Sequence, residues 1–267
     1  MSLNQTVSIL ESQNYRGLPP EAVSADYSEV TVILPTLNEC GSIGSLLEQL
    51  ERCAPGATFL VVDDGSTDGT PEAVRLAARN GARCELLDRK AAPVKGIAAS
   101  VLDGCRACRT PYLVVMDADL QHPPELVPRL FAELRRGADV VVACRESIGG
   151  KFSLLRVLIS STATTFARAR LAFCGVRARD PLSGFFALRT EDFLQAMKHS
   201  ESRVQLSGYK ILFDYLKIAS GLTSGVSSKQ RKPLSVTEIE FDFGERVHGE
   251  SKLRLSHAVD FFRSIIS

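Results

Sequence analysis

Short apolar runs alternate with amphipathic stretches along the first half of this chain. Residues 29–35 (EVTVILP) form a continuous apolar run ending at a proline, which predicts a buried strand. Ile43, Leu46, Leu47 and Leu50 follow at i, i+3, i+4 and i+7, one apolar face of a helix. Residues 58–63 (TFLVVD) predict a second strand. Thr70 reads as the N-cap of the next helix, with Pro71 at its first position and Glu72 in its first turn. Residues 84–88 predict a third strand, 94–106 a helix, and 112–117 (YLVVMD) a fourth strand. Pro123-Pro124-Glu125 opens a helix that stops at Arg135-Arg136-Gly137, with cations and a glycine where a helix C-terminus favours them. Residues 139–144 (DVVVAC) predict a fifth strand.

From about residue 150 the rhythm breaks. A long helix is expected over 152–173, then a loop, helices near 191–198 and 208–219, a strand near 235–243 and a final helix from about 253. Residues 1–27 are polar and aperiodic, and read as an irregular arm. Strands built of consecutive Val, Ile and Leu are buried on both faces, so the expected fold is α/β: a mostly parallel sheet with helices on both sides, in a single domain over 28–267.

Composition narrows the partners. The 267 residues are 45% hydrophobic and 24% charged, close to the average for soluble domains, and carry 32 Lys+Arg against 31 Asp+Glu for a net charge of +1. So balanced a chain is not built to hold nucleic acid by counterion release, and charge-driven binding must be local. No run approaches the roughly 18 apolar residues of a membrane span, and no basic-then-apolar leader opens the sequence. The 7 scattered cysteines read as reduced thiols of a cytoplasmic chain. Cys105-x-x-Cys108 has no second pair for zinc and reads as small residues on a helix.

The chemistry gathers at strand ends, where open α/β sheets bind ligands. The first strand ends in Pro35-Thr36-Leu37-Asn38-Glu39, the second in Asp63-Asp64-Gly65-Ser66-Thr67-Asp68-Gly69-Thr70, and the fourth in Asp117-Ala118-Asp119-Leu120-Gln121-His122. Each alone could be a turn; three on one edge, two with paired carboxylates, point to a site. Asp117-x-Asp119 sets two carboxylates side by side, whose repulsion a hard cation relieves. Mg²⁺ or Mn²⁺ takes oxygen ligands and completes its shell with substrate phosphates. No phosphate-binding G-x-x-x-x-G-K-[ST], no G-x-G-x-x-G after the first strand and no G-x-S-x-G is present, against nucleotide hydrolysis, dinucleotide binding and serine hydrolysis respectively. His122 reads as a loop residue helping to start the Pro123 helix rather than as a base.

PTLNE (35–39), VVDDGSTDGT (61–70) and MDADLQHPPE (116–125), in this order, resemble the family-2 inverting glycosyltransferases of the GT-A fold. DPLSGFFAL (180–188), GYKILFDYL (208–216) and FGERVHGESKL (243–253) resemble the polyprenyl-phosphate branch, above all the dolichol-phosphate mannose synthases. The resemblance implies that 28–145 is the nucleotide-sugar half and 146–267 the acceptor half, closed by C-terminal amphipathic helices. It implies that Pro35, Thr36, Leu37, Glu39, Asp63 and Asp64 hold the nucleotide, with Leu37 where the family usually has an aromatic residue. Asp117 faces sugar nucleotide and metal; Asp119 and Gln121 ligate the metal. Arg145 and Arg156 meet the acceptor phosphate, and Arg246 and Lys252 approach the diphosphate. The implied reaction moves mannose from GDP-mannose to dolichyl or another polyprenyl phosphate, with Mg²⁺ or Mn²⁺. The implied setting is the cytosolic face of a membrane, endoplasmic reticulum or plasma membrane, where small anchoring subunits could join.

The residues themselves leave rivals: a UDP-glucose donor on the same fold, a non-catalytic subunit, or a metal-dependent phosphohydrolase. The last would need an activated water or aspartyl nucleophile for which no motif is visible. Ala258, Val259, Phe262, Ile265 and Ile266 on the last helix, and Phe152, Leu154, Leu155, Leu158 and Ile159 around Arg156, form apolar stripes that suit either core or a membrane surface.

Overall fold

The computed structural model describes residues 26–145, 154–198, 204, 206, 210–224 and 234–241, with 154–161 and 222–224 described as helix backbone only. The final helix expected from 253, Arg246, Lys252 and the side chain of Arg156 lie outside the described residues.

Among the described residues seven strands form one sheet: β1 (Val30–Thr36), β2 (Thr58–Asp63), β3 (Cys84–Asp88), β4 (Tyr112–Val115), β5 (Val140–Arg145), β6 (Phe186–Arg189) and β7 (Val236–Phe241). Their spatial order is β3-β2-β1-β4-β6-β5-β7. The β1–β2, β2–β3, β1–β4 and β5–β7 ladders are parallel, whereas β6 runs antiparallel to both β4 and β5. Between the strands run α1 (Cys40–Cys53), α2 (Thr70–Arg79), α3 (Ile97–Ala107), α4 (Val127–Arg135), α5 (Leu154–Phe173), α6 (Thr190–Lys198) and α7 (Ile211–Ser224).

The alternation along each strand divides two cores. Val30, Val32 and Leu34 face α1, α2 and α4, burying Ile43, Leu46, Leu47, Leu50, Val74 and Leu130. Ile33, Leu60 and Val62 face α3, α5, α6 and α7, burying Val101, Leu102, Leu171, Phe193 and Leu216. Both faces are therefore covered, as strands without polar alternation require.

The structure corrects the sequence reading at several points. The segment after the long helix, read as a loop, contains β6. Thr70 is not the N-cap: it is the first helical residue, behind Gly69 at φ +96°. The helix expected from 94 starts at Ile97, because Pro93 to Gly96 belong to a turn, Gly96 taking φ +131°. Pro124–Leu126 form a single 3₁₀ turn before α4 rather than its first α-helical turn.

On α3, Gly104 lies against the sheet. A Cβ there would stand 2.8 Å from Ile33 Cγ2 and 3.0 Å from Val62 Cγ2, both on buried β-branched side chains with little rotamer freedom. Alanine gains up to about 1 kcal/mol of helix propensity, but overpacking costs about 1–3 kcal/mol. Gly104→Ala is therefore expected to lower the urea midpoint without changing the slope of unfolding; a raised midpoint would show that the sheet yields.

Candidate active site

Because β1, β2 and β4 are parallel neighbours, their carboxyl ends open on one edge, and the three polar clusters meet there. β6 runs the other way, so the turn that precedes it, 180–184, arrives at the same edge.

The first two clusters are zipped together by hydrogen bonds. Thr67 N–H donates to Asn38 Oδ1 at 2.9 Å, and Asn38 N–H to Ser66 Oγ at 2.7 Å. Glu39 N–H donates to Thr70 Oγ1 at 2.9 Å, while Asp68 accepts Cys40 N–H at 2.9 Å and Thr70 N–H at 3.0 Å. Asn38 holds φ +54°, a left-handed conformation that asparagine tolerates better than most. Asn38, Ser66, Asp68 and Thr70 thus set the loop shape, a role that periodicity could not reveal; their one sequence signal is the enrichment of Asx and Ser/Thr turn formers.

Asp63 is buried at the centre of this zipper. It accepts Thr36 Oγ1 at 3.3 Å, Ser66 Oγ at 2.5 Å, Gly65 N–H at 3.1 Å and Ser66 N–H at 2.9 Å. Asp64 turns the other way, to Arg89 and to Gly96 N–H at 2.7 Å. Thr36 is buried, Pro35 and Glu39 are half-buried, and Leu37 is 39% exposed at the mouth. A cleft of about 310 Å³ adjoins the loop, lined in part by Asp63, Ser66, Thr67 and Lys90.

The third cluster is built around His122. Its ring is buried, stacked on Phe185 at 5.0 Å and set edge-on to Phe241 at 6.0 Å. Asp117 N–H donates to His122 Nδ1 at 3.0 Å, so that nitrogen carries no proton. Burial, with Arg145 adding to it, pushes His122 down to about 4 against the opposing pull of Asp119 and Asp180. His122, read as a loop residue and not as a base, does lie in the loop before α4, as a neutral, buried strut under the backbone of Asp117. Asp119 is buried and accepts Gln121 N–H at 3.1 Å, while Asp117 is 41% exposed by side chain. Between Asp119 and Gln121, Leu120 sits at φ +63°, a strained setting for a bulky residue.

Gly184 closes in on Asp117: a Cβ there would lie 3.3 Å from Asp117 Oδ2. Its turn is anchored by Ser183 Oγ, which donates to the Ala143 carbonyl at 2.8 Å, and by Glu238, which accepts the Arg179 and Asp180 N–H groups. Arg145 ends β5 in the open, within electrostatic reach of His122 and Asp180. Lys210, buried at the start of α7, is pushed down to about 7 by burial against the pull of Asp180. The structure therefore gathers Pro35, Thr36, Leu37, Glu39, Asp63, Asp64, Asp117, Asp119, Gln121 and Arg145 along one edge.

Asp117, Asp119 and Gln121 offer hard oxygen donors, which fit Mg²⁺ or Mn²⁺. Among the described residues no group of three or more His, Cys, Asp or Glu is placed to hold an ion, so a cation bound here would draw on substrate oxygens. All seven cysteines are free.

Residues 31–195 match the family model described as glycosyl transferase family 2. A dolichol-phosphate mannosyltransferase of Pyrococcus furiosus is 34% identical over 246 residues, covering 89% of this chain and 62% of its own length. The dolichol-phosphate mannosyltransferase of Saccharomyces cerevisiae is 33% identical over 233 residues, covering 84% of this chain and 81% of its own. Among solved structures, glucosyl-3-phosphoglycerate synthase from Mycobacterium tuberculosis in complex with Mn²⁺, uridine diphosphate and phosphoglyceric acid superposes with a TM-score of 0.61 at 20% identity. That alignment covers 99% of this chain and 81% of the other, and shows a shared fold.

Proposed function

The chain belongs to glycosyl transferase family 2, and on that premise we propose that it transfers mannose from GDP-mannose to the phosphate of dolichol or a similar polyprenol, with inversion and with Mg²⁺ or Mn²⁺. The observation that carries the reading is the convergence on one sheet edge of the zipped 36–39 and 63–70 loops, the Asp117-x-Asp119-x-Gln121 turn and Arg145. Relatives named for dolichol-phosphate mannosyl transfer support the substrate classes.

A phosphomonoester is already anionic at neutral pH, its second pKa being about 6, so as a nucleophile it needs no general base. The buried, neutral His122 suits such a reaction: it props up Asp117 and takes no proton. The work left to the protein is to bring two anions together and to stabilise the departing diphosphate. The zipped loops present the nucleotide, and Arg145, with Arg156, grips the acceptor phosphate through paired hydrogen bonds. A bound cation supplies charge neutralisation at the diphosphate. Arg246 and Lys252 are proposed to add positive charge there. No described helix is long and apolar enough to cross a membrane, and we place the protein peripherally, on the cytosolic face of the membrane that holds its lipid acceptor.

The test is a donor screen. The protein is incubated with Mn²⁺ or Mg²⁺, a short polyprenyl phosphate and each labelled nucleotide sugar in turn, and label is counted in the organic phase. Transfer from GDP-mannose is expected. Transfer from UDP-glucose alone would reassign the donor, and none from any donor would make the chain a non-catalytic subunit.

A further inference from the structure

Arg89 follows β3 and is 5% exposed. Its guanidinium meets four partners. Nη1 donates to the Asp64 carboxylate and, at 2.9 Å, to Ser100 Oγ. Nε donates to Asp103 Oδ2 at 2.8 Å, and Nη2 to the Val94 carbonyl at 2.8 Å. The other oxygen of Asp64 accepts Gly96 N–H at 2.7 Å. Lys95 Nζ turns back on the carbonyls of Arg89 and Lys90 and stands 3.8 Å from Asp64. The 89–96 segment is thus wrapped round one guanidinium, which joins the end of β2 to α3.

A buried ion pair is weak evidence of stabilisation, since a well-packed apolar side chain often serves as well. What it does supply is a fixed carboxylate. Each Asp64 oxygen has one short internal bond, and an ionised carboxylate accepts about two bonds per oxygen, so both retain acceptor capacity. We propose that Arg89 is a positioning residue of the donor site: it fixes Asp64 and the 89–96 segment in the arrangement that a nucleoside diphosphate sugar meets. The proposal rests on the reading of Asp64 as nucleotide-binding.

Two variants test it. Arg89→Lys keeps the charge but cannot serve four partners from one ammonium. Asp103→Ala removes a half-exposed partner on α3 that has no place in the donor site. Binding of GDP with Mn²⁺, followed by calorimetry, is expected to weaken about tenfold in Arg89→Lys, the low end of the losses when a supporting partner at a metal site is removed, and measurably but less in Asp103→Ala. The KM for nucleotide sugar is expected to rise in step, with kcat and the KM for lipid phosphate within about twofold of wild type. Unchanged GDP affinity in both variants would overturn the proposal, as would equal rises in both KM values with a lowered Tm, the mark of general loosening. Should Arg89→Lys fail to fold, Asp103→Ala decides alone. If the wild type binds UDP and not GDP, the donor assignment fails while the Arg89 test proceeds with UDP; if it binds neither, both readings fall.

Discussion

Asp119→Ala is expected to lower sugar transfer by about three orders of magnitude while leaving the fold intact, a loss of about 4 kcal/mol of transition-state stabilisation. Asp119 is buried beyond β4 and accepts the N–H of Gln121 in its own turn. Its proposed use comes when charge builds on the departing diphosphate: a carboxylate missing from the cation's shell is felt there far more than in the resting protein. Excess EDTA should silence the wild type to a similar level, and restored Mn²⁺ should rescue the wild type but not the variant. Circular dichroism checks that the variant is folded. Turnover near wild type in Asp119→Ala, or full activity in EDTA, would remove the cation from the reaction.

Arg145→Ala is expected to raise the KM for lipid phosphate roughly tenfold to a hundredfold, the equivalent of about 1.5–3 kcal/mol for a charged hydrogen-bond partner. Arg145 is exposed at the end of β5, two strands away from β4, whereas the zipped loops lie on β1 and β2. Calorimetry should therefore find GDP binding within about twofold of wild type. A collapse of GDP affinity with an unchanged lipid KM would put Arg145 on the donor side and reverse the division of the site.

Much of this arrangement was legible in the sequence, and what was not has physical causes. Strands such as VTVILP and TFLVVD are buried on both faces, so unbroken apolar runs announced them and their parallel pairing. The acidic clusters were legible because turns at the carboxyl ends of parallel strands are where such residues gather. β6 was missed because four residues, FALR, are too few for any period, and because its antiparallel insertion between β4 and β5 is a tertiary fact with no local mark. The burial of His122 and of Arg89 has no mark in the sequence, for a shared reason. Polar side chains look like surface until their partners are known, and those partners, the Asp117 amide and Phe185 for one, Asp64 and α3 for the other, converge only on folding. The helix start at Ile97 was missed because Lys95 and Gly96 serve the Arg89 turn.

The inserted β6 also bears on how the chain is made. During synthesis the first four strands can pair as β3-β2-β1-β4 once residue 115 has emerged, and β4 is then an edge with unpaired backbone groups. β5, made next, cannot cover that edge, since its native partners are β6 and β7; only residues 186–189, produced after α5, can do so. Tyr112 to Val115 therefore stay available for non-native pairing throughout an interval of translation, and a β-rich, uncharged edge of this kind invites association with other nascent chains. Chains stalled or truncated between residues 115 and 186 should aggregate far more readily than the full-length protein.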